Sequence, residues 1–351
     1  MLLVIGSYSK ADAPGIHIYQ LDDLAQSFSL LDTIKGVENP SYLTLGNGTD
    51  LIYAVTENKS DSASGLHIFE ASKGAASHMV SIPFTGGGSC YVSTDPGERH
   101  AFVANYGEGT LTVLRLPARG LPGGLAQELT FKGHGLDPER QDNPHIHAAL
   151  LSPDGKRLLC ADLGTDRLYS YNYDGDARIP LEATDPPVIL LPPGSGPRQL
   201  AFSPDGRSLY VITELSAELF VFAADDLGGG WLQRLPLTQD GYSGKLEGGD
   251  IQIDASGRFL YASNRGNANE IIVFEIDPVS GLLDFRQRIG AAGLSPRNIL
   301  INRQLSLLLV ANEQSDNVSI FRINADGTLE FSRDYLQVPS PTCLKMYYES
   351  E

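Results

Sequence analysis

Short runs of alternating apolar and polar residues recur along the whole chain. They include GIHIYQL (Gly15–Leu21), GLHIFE (Gly65–Glu70), TLTVL (Thr110–Leu114), ELFVF (Glu218–Phe222), EIIVF (Glu270–Phe274) and NVSIF (Asn317–Phe321). Each is rich in β-branched and aromatic residues, and a period of two places alternate side chains on one face of a strand. No segment carries the 3.6-residue apolar stripe of a core helix. Between the runs lie tight-turn signatures: Ser152-Pro153-Asp154-Gly155, Ser203-Pro204-Asp205-Gly206, Asp254-Ala255-Ser256-Gly257 and Asp95-Pro96-Gly97. In these, Asp closes the turn with its carboxylate and Gly takes the unusual φ.

Aligned on these turns, the chain repeats. In six copies a residue leading into one predicted strand stands 16 positions before a residue leaving the next: Ser41/Glu57, Cys90/Tyr106, His147/Leu163, Arg198/Glu214, Gly249/Arg265 and Arg297/Glu313. The leading residues lie 49, 57, 51, 51 and 48 positions apart, and a seventh, Thr342, follows after 45. Thr342 has no second strand after it. Leu2–Tyr8 has the second-strand pattern with no first strand before it. The two ends therefore complete one unit. The expected fold is all-β: a single domain spanning 1–351, a seven-bladed β-propeller of four-stranded blades, its first blade closed by the C-terminal strand. A pair of β-sandwiches would not repeat at ~50 residues, and β-helix coils are shorter.

Composition adds three constraints. The 43 acidic and 26 basic residues give a net charge of −17, which argues against nucleic acid and anionic membrane as partners. Cys90, Cys160 and Cys343 are too few and too far apart for a disulfide framework or a zinc site. The start, MLLVIGSYSK, shows no basic leader and no long apolar run. Together these point to a reducing, cytoplasmic setting with no membrane span.

In a propeller, the residues leading into first strands and those leaving second strands converge on one mouth of the central channel. The groups able to carry charge fall on the fourth to seventh blades: His147, Arg198, Glu214, Arg265, Arg297 and Glu313. Cations gathered there, in a protein this acidic, are what an anionic small molecule would require. Each group also has a plainer reading. Arg198 is a potential structural partner of Glu214, Glu57 and Glu313 are potential solvated groups, and His145-Ile146-His147 is a potential metal pair that lacks a third ligand nearby. Asp162, Asp166 and Arg167 read as turn and interblade residues. P-loop, GxSxG, HExxH and dinucleotide fingerprints are missing.

The segments NPSYL (39–43), ANYGEGTLTV (104–113), RQDNPHIHAALLSPDG (140–155), DLGTDRLYSY (162–171), GSGPRQLAFSPDG (194–206), TELS (213–216), FLYASNRG (259–266), SPRNI (295–299) and ANEQSDNVSIFRI (311–323) resemble, end to end, the lactonase family of seven-bladed propellers. That family includes propeller-type 6-phosphogluconolactonases and a carboxymuconate lactonizing enzyme. The resemblance implies a catalytic set of His145, His147, Arg198, Glu214 and Arg265. The sequence departs from the family where Gln199 and Gln252 stand in place of histidines and where the third blade reads Gly88-Ser89-Cys90-Tyr91.

What the resemblance implies is hydrolysis of a small anionic sugar lactone, 6-phosphogluconolactone before others, with no cofactor and no metal. His147 is then the base, with His145 orienting it. Glu214 holds hydroxyls or relays the proton, and Arg198 and Arg265 stabilise an oxyanion or grip phosphate. Arg140, Gln141, Gln199, Asn264 and Arg297 are expected substrate contacts. Two rivals stand beside this reading. One is a cycloisomerase acting on an unsaturated dicarboxylate; the other is a non-catalytic binding propeller, disfavoured by a single tryptophan, Trp231, and by charges that face the channel.

Overall fold

A computed structural model describes residues 1–22, 27–58, 64–72, 75–117 and 123–347. Among these, the chain forms seven four-stranded antiparallel sheets. The period-two runs are the third strands of their blades, for example Thr110–Arg115 and Glu270–Ile276. No α-helix is present among the described residues, and no helix is long and apolar enough to cross a membrane. The Asp-Gly turns behave as their chemistry dictates. In the fourth blade the amide of Gly155 bonds the Ser152 carbonyl at 2.8 Å with φ at +69°.

The sheets stand around a channel. The first strand of each blade lies beside the first strand of the next, from Tyr42–Leu45 through Pro296–Asn302 to Pro341–Tyr347 and back, so the ring is closed. The closing unit pairs Pro341–Tyr347 with Leu2–Ser7 in the register Leu2↔Tyr347 to Gly6↔Cys343. Each first strand is the inner edge of its own sheet, and Pro341–Tyr347 supplies that edge for the blade in which Leu2–Ser7 is the second strand.

The core lies between blades, where the faces of neighbouring sheets meet. Leu3 and Ile5 of the first blade, with Leu344 from the closing strand, pack on Leu307 and Leu309 of the seventh. Tyr210 and Ile212 of the fifth blade pack on Leu260 and Ala262 of the sixth. A fully buried Leu, Ile or Phe side chain stabilises by about 1.5–3 kcal/mol, so such contacts fix the rotation of each blade against the next.

The constant spacing of 16 has a physical cause. In all seven blades the residue leaving the second strand donates its amide to the carbonyl two positions before the leading residue: Tyr8 to Ser340, Glu57 to Asn39, Tyr106 to Gly88, Leu163 to His145, Glu214 to Gly196, Arg265 to Glu247 and Glu313 to Ser295. The intervening register slips by one residue. Thr342, Cys90, His147, Arg198 and Arg297 each sit at such a bulge, opposite no single partner. A bulge bends the strand and re-aims its side chain. The same device recurs around the ring, and it turns the leading side chains toward the channel mouth.

Candidate active site

The fifth blade supplies the centre of the site. Arg198 on its bulge and Glu214 at the end of the facing strand meet at 2.9 Å, Nε to Oε2. Both side chains are nearly inaccessible, at 3% and 5% of full exposure. From the sixth blade, Arg265 brings Nη2 to the same oxygen at 2.7 Å. Arg140, on the segment between the third and fourth blades, reaches the other oxygen, Oε1, and its Nη2 also lies 3.4 Å from the Tyr106 hydroxyl. His147 stands over the group with Nε2 4.0 Å from Glu214 Oε2. Residues separated by up to 125 positions therefore meet at one carboxylate, since Arg140 and Arg265 bind the same Glu214.

Backbone carbonyls fix the two buried guanidiniums. Arg198 Nη1 donates to Gly249 O at 2.5 Å, and Arg265 Nε and Nη2 donate to Gly248 O at 3.3 and 3.1 Å. Arg140 differs, because about a third of its side chain faces solvent. It is the one guanidinium of the three that is free to turn toward an arriving ligand.

Three guanidiniums share Glu214, and Arg265 Nη1 also lies 3.7 Å from Glu247 Oε1, so three cations face two carboxylates and one positive charge is left in surplus. Burial by itself would raise the Glu214 carboxyl. The guanidiniums of Arg265 and Arg198, then His147 and Arg140, outweigh burial and hold it well below its ordinary value. Burial and the neighbouring Arg265 bring Arg198 down to about 10, so it remains a cation at neutral pH. Burial, reinforced by Arg198, pushes the His147 imidazole well below 6.5. At neutral pH His147 is therefore an uncharged imidazole. Among the described residues its Nδ1 has no hydrogen-bond partner.

His145 is held differently. Its ring stacks on Tyr106 with centroids 4.2 Å apart and planes at 13°. Its Nδ1 lies 2.7 Å from Tyr106 O, and its Nε2 lies 3.3 Å from Asp142 Oδ1. Both nitrogens thus have partners, which suits a positioning residue more than a base. Tyr106 also meets His147 edge-on, at 5.7 Å. Tyr106 was visible in the sequence as a member of the 16-residue column, and its shared contacts with both histidines are the part the pattern did not reveal.

Of the residues expected at the site, the structure joins His147, Arg198, Glu214, Arg265 and Arg140 directly, with His145 beside them. Three others go elsewhere. Gln141 is a staple for its own segment: its Oε1 accepts from the amides of Leu136 and Asp137, and its Nε2 donates to Leu163 O and Asp166. Asn264 Nδ2 donates to Glu270 Oε1 at 3.1 Å within its own blade. It matches Asn105 and Asn312, which likewise tie down the turn into the third strand. Gln199, one position past the bulge, lines a separate channel cavity with Tyr42, Tyr91, Asp250 and Lys345.

Arg297 belongs to a second group on the same mouth. Its Nη2 is 3.4 Å from Glu57 Oε2, and its guanidinium lies 5.2 Å from the centre of the Tyr8 ring. Glu57 is therefore an ion-pair partner and not simply a solvated group. Glu313 accepts from Ser295 Oγ at 3.1 Å. Asp162 and Asp166 are structural, as expected: Asp162 binds the His145 and Gly164 amides and Thr165, and Asp166 binds the Gly194 and Gly196 amides.

The family profile described as "Lactonase, 7-bladed beta-propeller" matches residues 2–346. A 6-phosphogluconolactonase of Bacillus subtilis is 28% identical, with 98% of each chain covered. A 6-phosphogluconolactonase of Formosa agariphila is 30% identical over 98% of this chain and 99% of its own. The solved structure of a periplasmic gluconolactonase from Pseudomonas aeruginosa superimposes with a TM-score of 0.90 at 32% identity, covering 98% of this chain and 99% of that one.

Proposed function

The chain belongs to the lactonase family of seven-bladed β-propellers, and from that premise we propose that it hydrolyses an anionic sugar lactone, with 6-phosphogluconolactone as the first candidate. The observation that carries this reading is the surplus of cations around one buried carboxylate, with a neutral imidazole beside it. Ester hydrolysis needs an acceptor for the proton of the attacking water and positive charge where the carbonyl oxygen becomes an oxyanion. Neutral His147 is the acceptor. The water oxygen bonds to the ring carbonyl carbon, and the bond from that carbon to the ring oxygen then breaks. The proton taken by His147 passes to the departing ring oxygen, which becomes a hydroxyl.

Glu214 is a poor base, because its cations keep it ionised. Its role is to hold Arg198 and Arg265 in place at the carbonyl. Arg140, about a third exposed and tied to the site through a single guanidinium nitrogen, is the phosphate contact. A cytoplasmic setting is part of this reading, supported by free, buried Cys90, Cys160 and Cys343. The Pseudomonas neighbour is described as periplasmic, so cell fractionation tests that point separately.

The decisive experiment is proton release in a pH-stat from freshly prepared 6-phosphogluconolactone, with spontaneous hydrolysis subtracted. The wild type is expected to accelerate it, and His147→Ala to lower turnover by about 10²–10⁴-fold. No acceleration with 6-phosphogluconolactone or gluconolactone overturns the reading. Turnover of an unsaturated dicarboxylate in their place would transfer the same residues to a cycloisomerase.

A further inference from the structure

Beside the arginine cluster, on the same mouth, lies a cavity of about 760 Å³. Its walls include Tyr8, Glu38, Asn39, Glu57, Asn58 and Tyr106. Tyr106 joins it to the cluster, since the same residue stacks on His145, meets His147 and bonds Arg140. The two halves of the mouth have opposite character. One carries surplus guanidinium charge, and the other is lined by two carboxylates and two amides with no lysine, arginine or histidine.

Glu57 is preset within that lining. The Tyr8 hydroxyl donates to its Oε2 at 2.8 Å, and Arg297 approaches the same oxygen at 3.4 Å. Among the described residues no hydrogen bond reaches its Oε1. An ionised carboxylate accepts and never donates, so a fixed carboxylate with an open oxygen selects ligands that present hydroxyls and repels those that present phosphate or carboxylate. Burial, together with Glu57, raises the Tyr8 phenol, which keeps it a donor across the working pH range.

We propose that this cavity is the subsite for the hydroxyl-bearing flank of the sugar, with Glu57 reading the hydroxyls while Tyr8 and Arg297 position it. The assignment rests on the lactonase reading and fixes an orientation for the substrate. In a six-membered 1,5-lactone the carbonyl carbon and the carbon bearing the C6 substituent flank the ring oxygen. Both the carbonyl and a 6-phosphate can then face the guanidiniums. The hydroxyls on carbons two to four project from the far side of the ring, toward Glu57. The reverse orientation would press the phosphate against Glu38 and Glu57.

Two inert ring ligands test this without turnover. 1,5-Anhydroglucitol 6-phosphate keeps the ring hydroxyls, and (tetrahydropyran-2-yl)methyl phosphate has none. Calorimetric titration of the wild type is expected to show tighter binding of the first. Glu57→Gln should weaken that ligand by about 10–100-fold, the loss expected for hydrogen bonds to a charged acceptor, and leave the second unchanged or tighter. Tyr8→Phe, which keeps the ring and removes the positioning hydroxyl, should weaken only the first, by about 2–10-fold. Equal losses for both ligands, no loss for either, or failure of the wild type to prefer the hydroxylated ligand overturns the subsite. PH-stat turnover of 6-phosphogluconolactone, measured on the same preparation, reports on the lactonase reading independently. Ligand discrimination without turnover removes the reaction, whereas turnover without discrimination removes only the subsite.

Discussion

Replacing Glu214 by Gln should damage stability as well as activity, because this carboxylate is the only counter-charge for buried Arg198 and Arg265 that both of them touch. Glutamine keeps the shape and removes the charge. Arg140 can turn out to water, but Arg198 and Arg265, at 3% and 4% exposure, cannot. Arg265 keeps Glu247 at 3.7 Å, so Arg198 is the charge left with no carboxylate at ion-pair distance among the described residues. Removing one partner of a buried ion pair costs about 3–5 kcal/mol, since the remaining charge stays desolvated and unpaired. Unfolding entropy near the midpoint is ~2 cal/mol/K per residue, or about 0.7 kcal/mol/K for a chain of this length, so the melting temperature should fall by about 4–7 °C. Differential scanning calorimetry at pH 7 measures it.

The pH dependence gives a second handle on the same group. The folded-state carboxyl is held far below its unfolded value of ~4.3. A depressed carboxyl contributes stability that is fully present above the unfolded value and is lost as pH falls through the folded one. The gap between wild type and Glu214→Gln should therefore be constant from about pH 5.5 to 8 and shrink below about pH 4. Inorganic phosphate should restore part of the loss in the variant, because the uncovered guanidiniums become an anion site. A melting temperature within about 1 °C of wild type, or a gap that does not narrow in acid, would show that the cluster is not coupled as described.

Three further outcomes follow from the same geometry. Because burial and Arg198 hold His147 well below 6.5, kcat/KM should be level across neutral pH with its acid limb below that value, and an inflection at or above 6.5 in a pH-stat profile removes His147 as the base. Arg140→Ala should raise KM for 6-phosphogluconolactone by about 10–100-fold, leave gluconolactone within about threefold, and hardly move the melting temperature; equal losses on both substrates would take the phosphate role away from it. Removing the chain from Pro341 onward withdraws the strand that pairs with Leu2–Ser7 and carries buried Leu344 and Met346, so the protein should lose its cooperative melt and aggregate, and a soluble truncation with an unchanged melt would contradict the closure.

The fold was legible because one local device repeats. Period-two alternation located the third strands, and the complementary ends located the closing blade. The 16-residue spacing is the sequence trace of a hydrogen bond, from the amide leaving the second strand to the carbonyl two positions before the leading residue. A bond that must be made in every blade imposes a distance even where the side chains differ. That is why His147, Arg198, Glu214 and Arg265 could be assigned to one mouth without coordinates.

What the spacing could not resolve is the direction of a side chain one position off the column. Gln199 follows the bulge at Arg198 and turns into a different cavity, and Asn264 precedes Arg265 and binds Glu270 in its own blade. A step of one residue along a strand reverses the face, so proximity in sequence to a functional residue is weak support for a shared role. The Asn264 position had its own warning, since Asn105 and Asn312 occupy the same place in their blades and serve the turn. Arg140 and Gln141 are the opposite case. They lie outside the repeat, where no register applies, and only the hydrogen bonds of their segment separate them. Gln141 spends both ends of its amide on fixing that segment, which leaves adjacent Arg140 projecting to Glu214. The cation most free to meet a substrate is thus held in place by a neighbour whose own amide is engaged within the segment.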